Sequence, residues 1–325
     1  MSLQELLHDA PRLIMFGGKG GVGKTTCACA TAFRLSEEGF KTLLISSDPT
    51  PSLSDIFTKH IGNVIVPVEN SDNLFAVEID RETVVKRWKS KFGEEVYRVA
   101  SSLLPVGRGV IDYVAEAPGI DEEFLLDYIL ELFEKHIYDK IVWDTAPAGH
   151  TLRLLQYPEI FTSHLDVVGK TYYRIAVQYQ KVKRASTRSR GKAEPRSLLE
   201  TLERWKALAR RVIHLITDAD TTEFELVTIP EAMGVKLTMR LLSIFKEYGI
   251  PITHLIVNNV INRHDAAQCP FLERKRRMQL NHLSYLGRHL KSQLEIIETP
   301  LLPTEIQGTE SIRQFARYLF PAKTS

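Results

Sequence analysis

Gly17-Gly18-Lys19-Gly20-Gly21-Val22-Gly23-Lys24-Thr25-Thr26 follows directly on the apolar run Leu13 to Phe16, and no other stretch of the chain restricts its fold as much. It satisfies G-x-x-x-x-G-K-[ST] from Gly18 to Thr25. Glycines let the backbone curl so that successive N–H groups point inward at phosphate oxygens. A helix beginning at Lys24 adds the positive end of its dipole. In such a loop Lys24 reaches the β- and γ-phosphates, and the Thr25 hydroxyl joins a magnesium shell. Gly18, Lys19, Gly20, Gly21, Val22, Gly23, Lys24, Thr25 and Thr26 are therefore expected to bind nucleotide, with ATP and Mg2+ as the cofactors.

A loop of this kind sits between a strand and a helix, and the rest of the chain repeats that alternation. Further short apolar runs, candidate strands, are Lys41 to Ser46, Leu74 to Glu78, Lys140 to Trp143, Val212 to Ile216, Thr253 to Val257 and Leu294 to Glu298. Amphipathic stretches such as Lys24 to Glu38, Asp121 to His136 and Pro230 to Tyr248 separate them. This is the pattern of an α/β fold, a doubly wound, mostly parallel sheet covered by helices. Two stretches break it. From Arg81 to His136 the periodicity is helical, with Val96, Val99, Leu103, Leu104, Val110, Ile111 and Val114 on apolar positions and Pro105 and Pro118-Gly119 dividing it. Lys170 to Arg204 has no strand and is basic in its middle. The expected organisation is an ATPase domain from 1–80, 137–169 and 205–325, carrying a helical subdomain from 81–136 and 170–204.

Three cysteines in 325 residues cannot staple a chain this size, which points to a reducing, cytoplasmic location. Met1 to Pro11 carries Glu5, His8 and Asp9 and reads as no signal peptide. Forty-two basic against 40 acidic side chains give no global argument for nucleic acid.

Two more strings bear on phosphate chemistry. Ser46-Ser47-Asp48-Pro49-Thr50-Pro51-Ser52-Leu53-Ser54-Asp55 ends a strand candidate, so Asp48 falls where a γ-phosphate would lie and is the expected catalytic group that orients the attacking water. Asp55 is expected only to cap or solvate the next helix. The run Lys140 to Trp143 ends in Asp144, the Walker B arrangement for holding magnesium together with Thr25. Pro147 and Gly149 then make the following segment a hinge. Lys19 lies just after the first loop glycine, the mark of the deviant, signature-lysine branch of these NTPases. Its expected catalytic use is to neutralise transferring charge across a dimer interface, beside Lys24 in its own loop.

These strings, with Asp144-Thr145-Ala146-Pro147-Ala148-Gly149-His150-Thr151-Leu152-Arg153, Pro118-Gly119-Ile120-Asp121-Glu122, Thr222-Glu223-Phe224 and Val257-Asn258-Asn259, resemble the arsenite-pump ATPase family, which includes the targeting ATPases for tail-anchored membrane proteins. The resemblance implies a homodimer that sandwiches ATP, with Lys19 acting in trans. It implies that Asn258 and the loop Pro300 to Glu305, with Pro300 and Pro303, contact adenine. It implies that two helical subdomains close into an apolar groove for a client's transmembrane segment and that a membrane receptor takes part.

Three departures from the family pattern shape the expectations. A zinc-sharing Cys-x-x-Cys is replaced by Cys269-Pro270-Phe271-Leu272, so no zinc site is expected at Cys269. A trivalent-arsenic trio has no obvious ligand set, because Cys27 and Cys29 fall two apart on a helix and read as core residues. Asp48-Pro49 is followed by Thr50-Pro51-Ser52 where the family usually has alanine-histidine-asparagine. The second helical stretch lacks the family's methionines, and its segment Lys181 to Lys192 reads as a solvated loop or an anionic-lipid contact, with nucleic acid disfavoured for want of interleaved aromatics. The apolar stripe from Val96 to Val114 fits a client groove and a subdomain core equally. Arsenite efflux and a MinD/ParA-like positioning switch stand as alternative purposes for the same ATPase.

Overall fold

The computed structural model describes residues 2–48, 50, 52–103, 105–117, 120–145, 195–267 and 269–321. The expected hinge with His150, and the basic segment 181–192, lie outside them, as do Pro49, Pro51, Leu104, Pro118 and Gly119.

Among the described residues eight strands form one sheet: β1 (Leu13–Gly18), β2 (Thr42–Ser46), β3 (Val66–Pro67), β4 (Leu74–Glu78), β5 (Lys140–Asp144), β6 (Thr222–Thr228), β7 (His254–Val260) and β8 (Glu295–Pro300). Their order is β3-β4-β2-β5-β1-β6-β7-β8. Every neighbouring pair is parallel except the short edge pair β3–β4. The helices are α1 (Lys24–Glu37), α2 (Ser52–Phe57), α3 (Arg81–Leu103), α4 (Gly109–Ala115), α5 (Ile120–Glu134), α6 (Pro195–Thr217), α7 (Ala232–Glu247), α8 (Arg263–Ala267), α9 (Pro270–Leu290) and α10 (Gly308–Leu319). This is the expected α/β sheet with helices. The central strands β1, β2 and β5 are buried at every residue, as a parallel sheet covered on both faces requires. On one face Ile14, Phe16, Val142, Val227, Ile256 and Ile297 pack with Cys27 and Phe33 of α1 and Ile312 and Phe315 of α10.

One expected strand is corrected. Val212 to Ile216 lies in the last turns of α6, and the strand beside β1 is β6, ten residues later. Leu202, Ala209, Val212 and Ile216 are buried while His214 is exposed, so the local apolar run belongs to a helical stripe. β6 carries Glu223 and Glu225 at buried positions, and these acids disguise a central strand.

The chain divides into two compact units, Met1–Asp80, Leu132–Leu152 and Leu215–Ser325 in one, Arg81–Glu131 and Arg153–His214 in the other. The first holds the sheet. The second holds α3, α4 and most of α5 and α6. Within it Trp88 and Phe124 are buried on either side of Phe92, whose ring meets that of Phe124 edge-on at 6.4 Å. The buried Asp127 pairs with Lys91, and Glu95 accepts hydrogen bonds from Arg204 (2.6 Å) and the Trp205 indole (2.8 Å), tying α6 to α3. Val96, Val99, Val110, Ile111 and Val114 are half-buried. A Cβ at Gly93 would lie 3.1 Å from Ile111 Cγ2, so this part of the stripe packs α4 onto α3. Among the described residues no helix is long and apolar enough to cross a membrane.

Candidate functional site

β1 delivers its last residue, Gly18, into a turn that ends at Gly23, the residue capping α1. Gly18 passes so close to the Val227 carbonyl of β6 that a Cβ would overlap it. Gly23 has φ +94° and ψ 24°, left-handed geometry that a side chain rarely adopts, and a Cβ there would overlap Asn258 Nδ2. Lys19, Gly20 and Gly21 form the exposed crest, Val22 turns inward, and Thr25 and Thr26 in the first turn of α1 are half-buried.

Lys24 is buried, and its Nζ donates to the Lys19 carbonyl of its own loop at 3.4 Å. Burial lowers the Lys24 pKa, while the carboxylates of Asp144 and Asp48 oppose that shift. Asp144, last in β5, is fully buried beside it. Asp144 Oδ2 accepts from Thr25 Oγ1 at 2.7 Å and from Ser46 Oγ at 3.4 Å. Asp144 Oδ1 has no hydrogen-bond partner among the described residues. Lys24 and Thr25, predicted from the loop string, and Asp144, predicted from another, are thus brought together.

Asp48 is half-buried just beyond β2, with its N–H on Ser46 Oγ at 3.3 Å. Its Oδ1 accepts from the Thr50 N–H (3.0 Å) and the Thr50 hydroxyl (2.7 Å), a local turn that orients the carboxylate. The helix after this segment is anchored from β4, where Glu78 Oε1 accepts from the N–H groups of Leu53 (2.7 Å) and Ser54 (3.1 Å). Asp55 sits in the first turn of that helix. Ser46 and Glu78 went unpredicted: the only sequence signal is their position at the carboxyl ends of β2 and β4.

Asn258 on β7 is buried, and its amide joins two elements: Nδ2 donates to the Val22 carbonyl at 3.0 Å and Oδ1 accepts from Thr299 Oγ1 of β8 at 2.7 Å. The amide therefore braces the phosphate loop. Pro300 ends β8, and Pro303 is exposed in the turn after it. Cys269 caps α9 and is half-buried, with Pro270 at the first helical position. Cys27 and Cys29 are fully buried in α1, and burial raises both thiols.

These residues suit a magnesium-bound triphosphate. Asp144 Oδ1 is a buried oxygen without compensation among the described residues, and the two glycines leave the space that side chains would fill. Burial first, against the Thr25 hydrogen bond and the Lys24 charge, pushes the Asp144 pKa up to about 6. Protons compete with a cation for that oxygen only below the raised pKa, so magnesium-dependent nucleotide binding should be level above pH 6 and weaken as pH falls through it. A magnesium titration of nucleotide affinity at several pH values measures this, and a flat profile down to pH 5 would remove Asp144 from the cation's ligands.

The family of anion-transporting ATPases matches residues 11–321. "ATPase get3" of Pyrenophora tritici-repentis is 31% identical over 319 residues, covering 98% of this chain and 94% of its own length. "ATPase GET3C" of Arabidopsis thaliana is 32% identical over 316 residues, 92% of this chain and 80% of that protein. "ATPase GET3B" of the same plant is 32% identical over 328 residues, 92% and 76%.

Proposed function

The chain belongs to the anion-transporting ATPase family and is an ATPase, and from that premise we propose that it uses Mg-dependent ATP hydrolysis to open and close a homodimer around the apolar segment of a client, most simply a tail-anchored membrane protein. The observation that carries the reading is the trio of Lys24, Thr25 and Asp144, lysine and aspartate buried and threonine half-buried, with one Asp144 oxygen left over.

Lys24 and the loop N–H groups hold the β- and γ-phosphates, and Thr25 and Asp144 hold the cation. Magnesium, when bound, offsets phosphate charge. Asp48 orients the attacking water and accepts its proton, with Thr50 fixing the carboxylate and Ser46 Oγ holding the Asp48 N–H. Lys19 is exposed at the loop crest, which suits a reach into a second protomer's site. Pro300 and Pro303 flank adenine, and Asn258 sets the loop against β8 and faces the same base. The second compact unit binds the client, a membrane receptor takes it over, segment 181–192 touches anionic lipid, and the cycle runs in the cytosol. The buried Cys27 and Cys29, with thiols raised by burial, speak against the arsenite-efflux alternative.

The test is co-expression of Asp48→Asn with a tagged tail-anchored segment, then copurification with and without ATP. The variant should keep ATP binding, hydrolyse it at least about a hundredfold more slowly, and retain the apolar segment only with nucleotide. Equal retention of a segment with charges placed in its apolar stretch would overturn the client reading. No capture, together with arsenite-stimulated turnover, would transfer the cycle to efflux.

A further inference from the structure

A second buried ionisable cluster plays no part in the phosphate chemistry. Glu223 and Glu225 alternate onto one face of β6, and His254 opens β7. Glu225 pairs in register with Phe16 of β1, and the same face of β6 and β7 carries Val227 and Ile256, which pack in the core under α1 and α10. All three side chains are buried, and one ligand atom from each lies within 4.8 Å of the others.

Acceptors outnumber protons here. His254 Nδ1 lies 2.9 Å from Glu223 Oε1, 3.1 Å from Glu225 Oε1 and 2.8 Å from Thr253 Oγ1. A ring nitrogen has one hydrogen to give. Glu223 Oε1 and Glu225 Oε2 have no properly formed hydrogen bond among the described residues, although both are out of water. On the other side of the ring, His254 Nε2 faces Glu295 Oε2 of β8 at 3.6 Å. A carboxylate behind the second ring nitrogen is what orients a metal-binding histidine and makes it a better donor.

We propose that Glu223, Glu225 and His254 form a binding site for a divalent transition-metal cation of the zinc class, held by His254 Nδ1 and an oxygen from each carboxylate. Zinc accepts nitrogen and oxygen at about 2.0–2.2 Å, which puts its ligand atoms about 3.4 Å apart in a tetrahedron. The contacts around Nδ1 are near that spacing before any adjustment. Magnesium suits the site badly, since it prefers oxygen and keeps several waters, whereas this site offers a nitrogen and three buried side chains. Without a cation the cluster retains protons instead. Burial raises Glu225 to about 7, and Glu223 and Glu225 together, against burial, raise His254 to about 10. Loading therefore releases protons.

The cation would pin β6 to β7 upstream of the points where both strands meet the phosphate loop. β6 supplies the Val227 carbonyl against Gly18, and β7 supplies the Asn258 amide to Val22. A site this closed fills as the chain folds, so the cation is structural and its loss loosens the floor of the loop.

The test is metal content of the full-length chain, purified from zinc-supplemented medium and also refolded with zinc sulfate after denaturation in chelator. About one equivalent of zinc per chain is expected, falling to about a tenth in Glu225→Gln and His254→Gln. X-ray absorption should show nitrogen and oxygen neighbours only. If Glu225→Gln does not fold, Glu223→Gln and His254→Gln carry the comparison. A wild-type chain without stoichiometric zinc by either route, zinc retained in the folded variants, or sulfur scattering that assigns the metal to Cys269 would each overturn the proposal.

Discussion

Lys24→Ala is expected to lower ATP turnover by about a thousandfold, the cost of removing a cation aimed at developing negative charge. The side chain is buried, its ammonium hydrogen-bonds the Lys19 carbonyl of the same loop, and Asp144 and Asp48 keep it charged against burial. Its removal has a second effect. Asp144 is buried with one oxygen unpartnered, and the Lys24 charge is among the influences holding its proton affinity down. Without the lysine, Asp144 should retain a proton to higher pH, so magnesium affinity falls as well as phosphate affinity. Steady-state turnover and magnesium titration at pH 7 and pH 8 separate the two effects, since raising pH should recover the magnesium term and leave the turnover defect. Turnover within about tenfold of the parent at either pH would show that another group neutralises the phosphates.

The sequence made this site legible because most of its chemistry is local. The loop string lies within ten residues, and Asp48 and Asp144 each end an apolar run whose strand nature is plain. What escaped notice is held by distant partners. β6 was unreadable because Glu223 and Glu225 look like solvent-facing residues until His254, 29 positions from Glu225, is placed beside them. The apolar run Val212 to Ile216 had the composition of a strand, but its burial follows the helical stripe begun at Leu202. Asn258 carries no local signal of its second task, since Val22 and Thr299 meet it only through the strand order. Glu78 is similar: its hold on the N–H groups of Leu53 and Ser54 depends on β4 lying next to β2.

Gly23→Ala carries the other large effect, and it acts through backbone geometry with no change of charge. At φ +94° an alanine is strained by about 1–2 kcal/mol wherever it sits. Its methyl would also overlap Asn258 Nδ2, and the amide has nowhere to yield: it is buried, donating to Val22 and accepting from Thr299. Moving it leaves the Val22 carbonyl and the Thr299 hydroxyl short of partners, at about 1–3 kcal/mol for each group stranded out of water. If the loop moves instead, the N–H groups aimed at phosphate turn away. Either route should weaken nucleotide binding by about a hundredfold or more and lower the melting temperature by several degrees. Asn258→Ala separates the two causes. Alone it should loosen the loop modestly by removing the brace. Combined with Gly23→Ala it removes the overlap but keeps the backbone strain, so the double variant should bind nucleotide better than Gly23→Ala alone. Nucleotide affinity measured across the four-member cycle gives the coupling directly. Strict additivity would mean that the amide and the loop do not meet as the geometry places them, and the strain at Gly23 would then have to account for the whole loss.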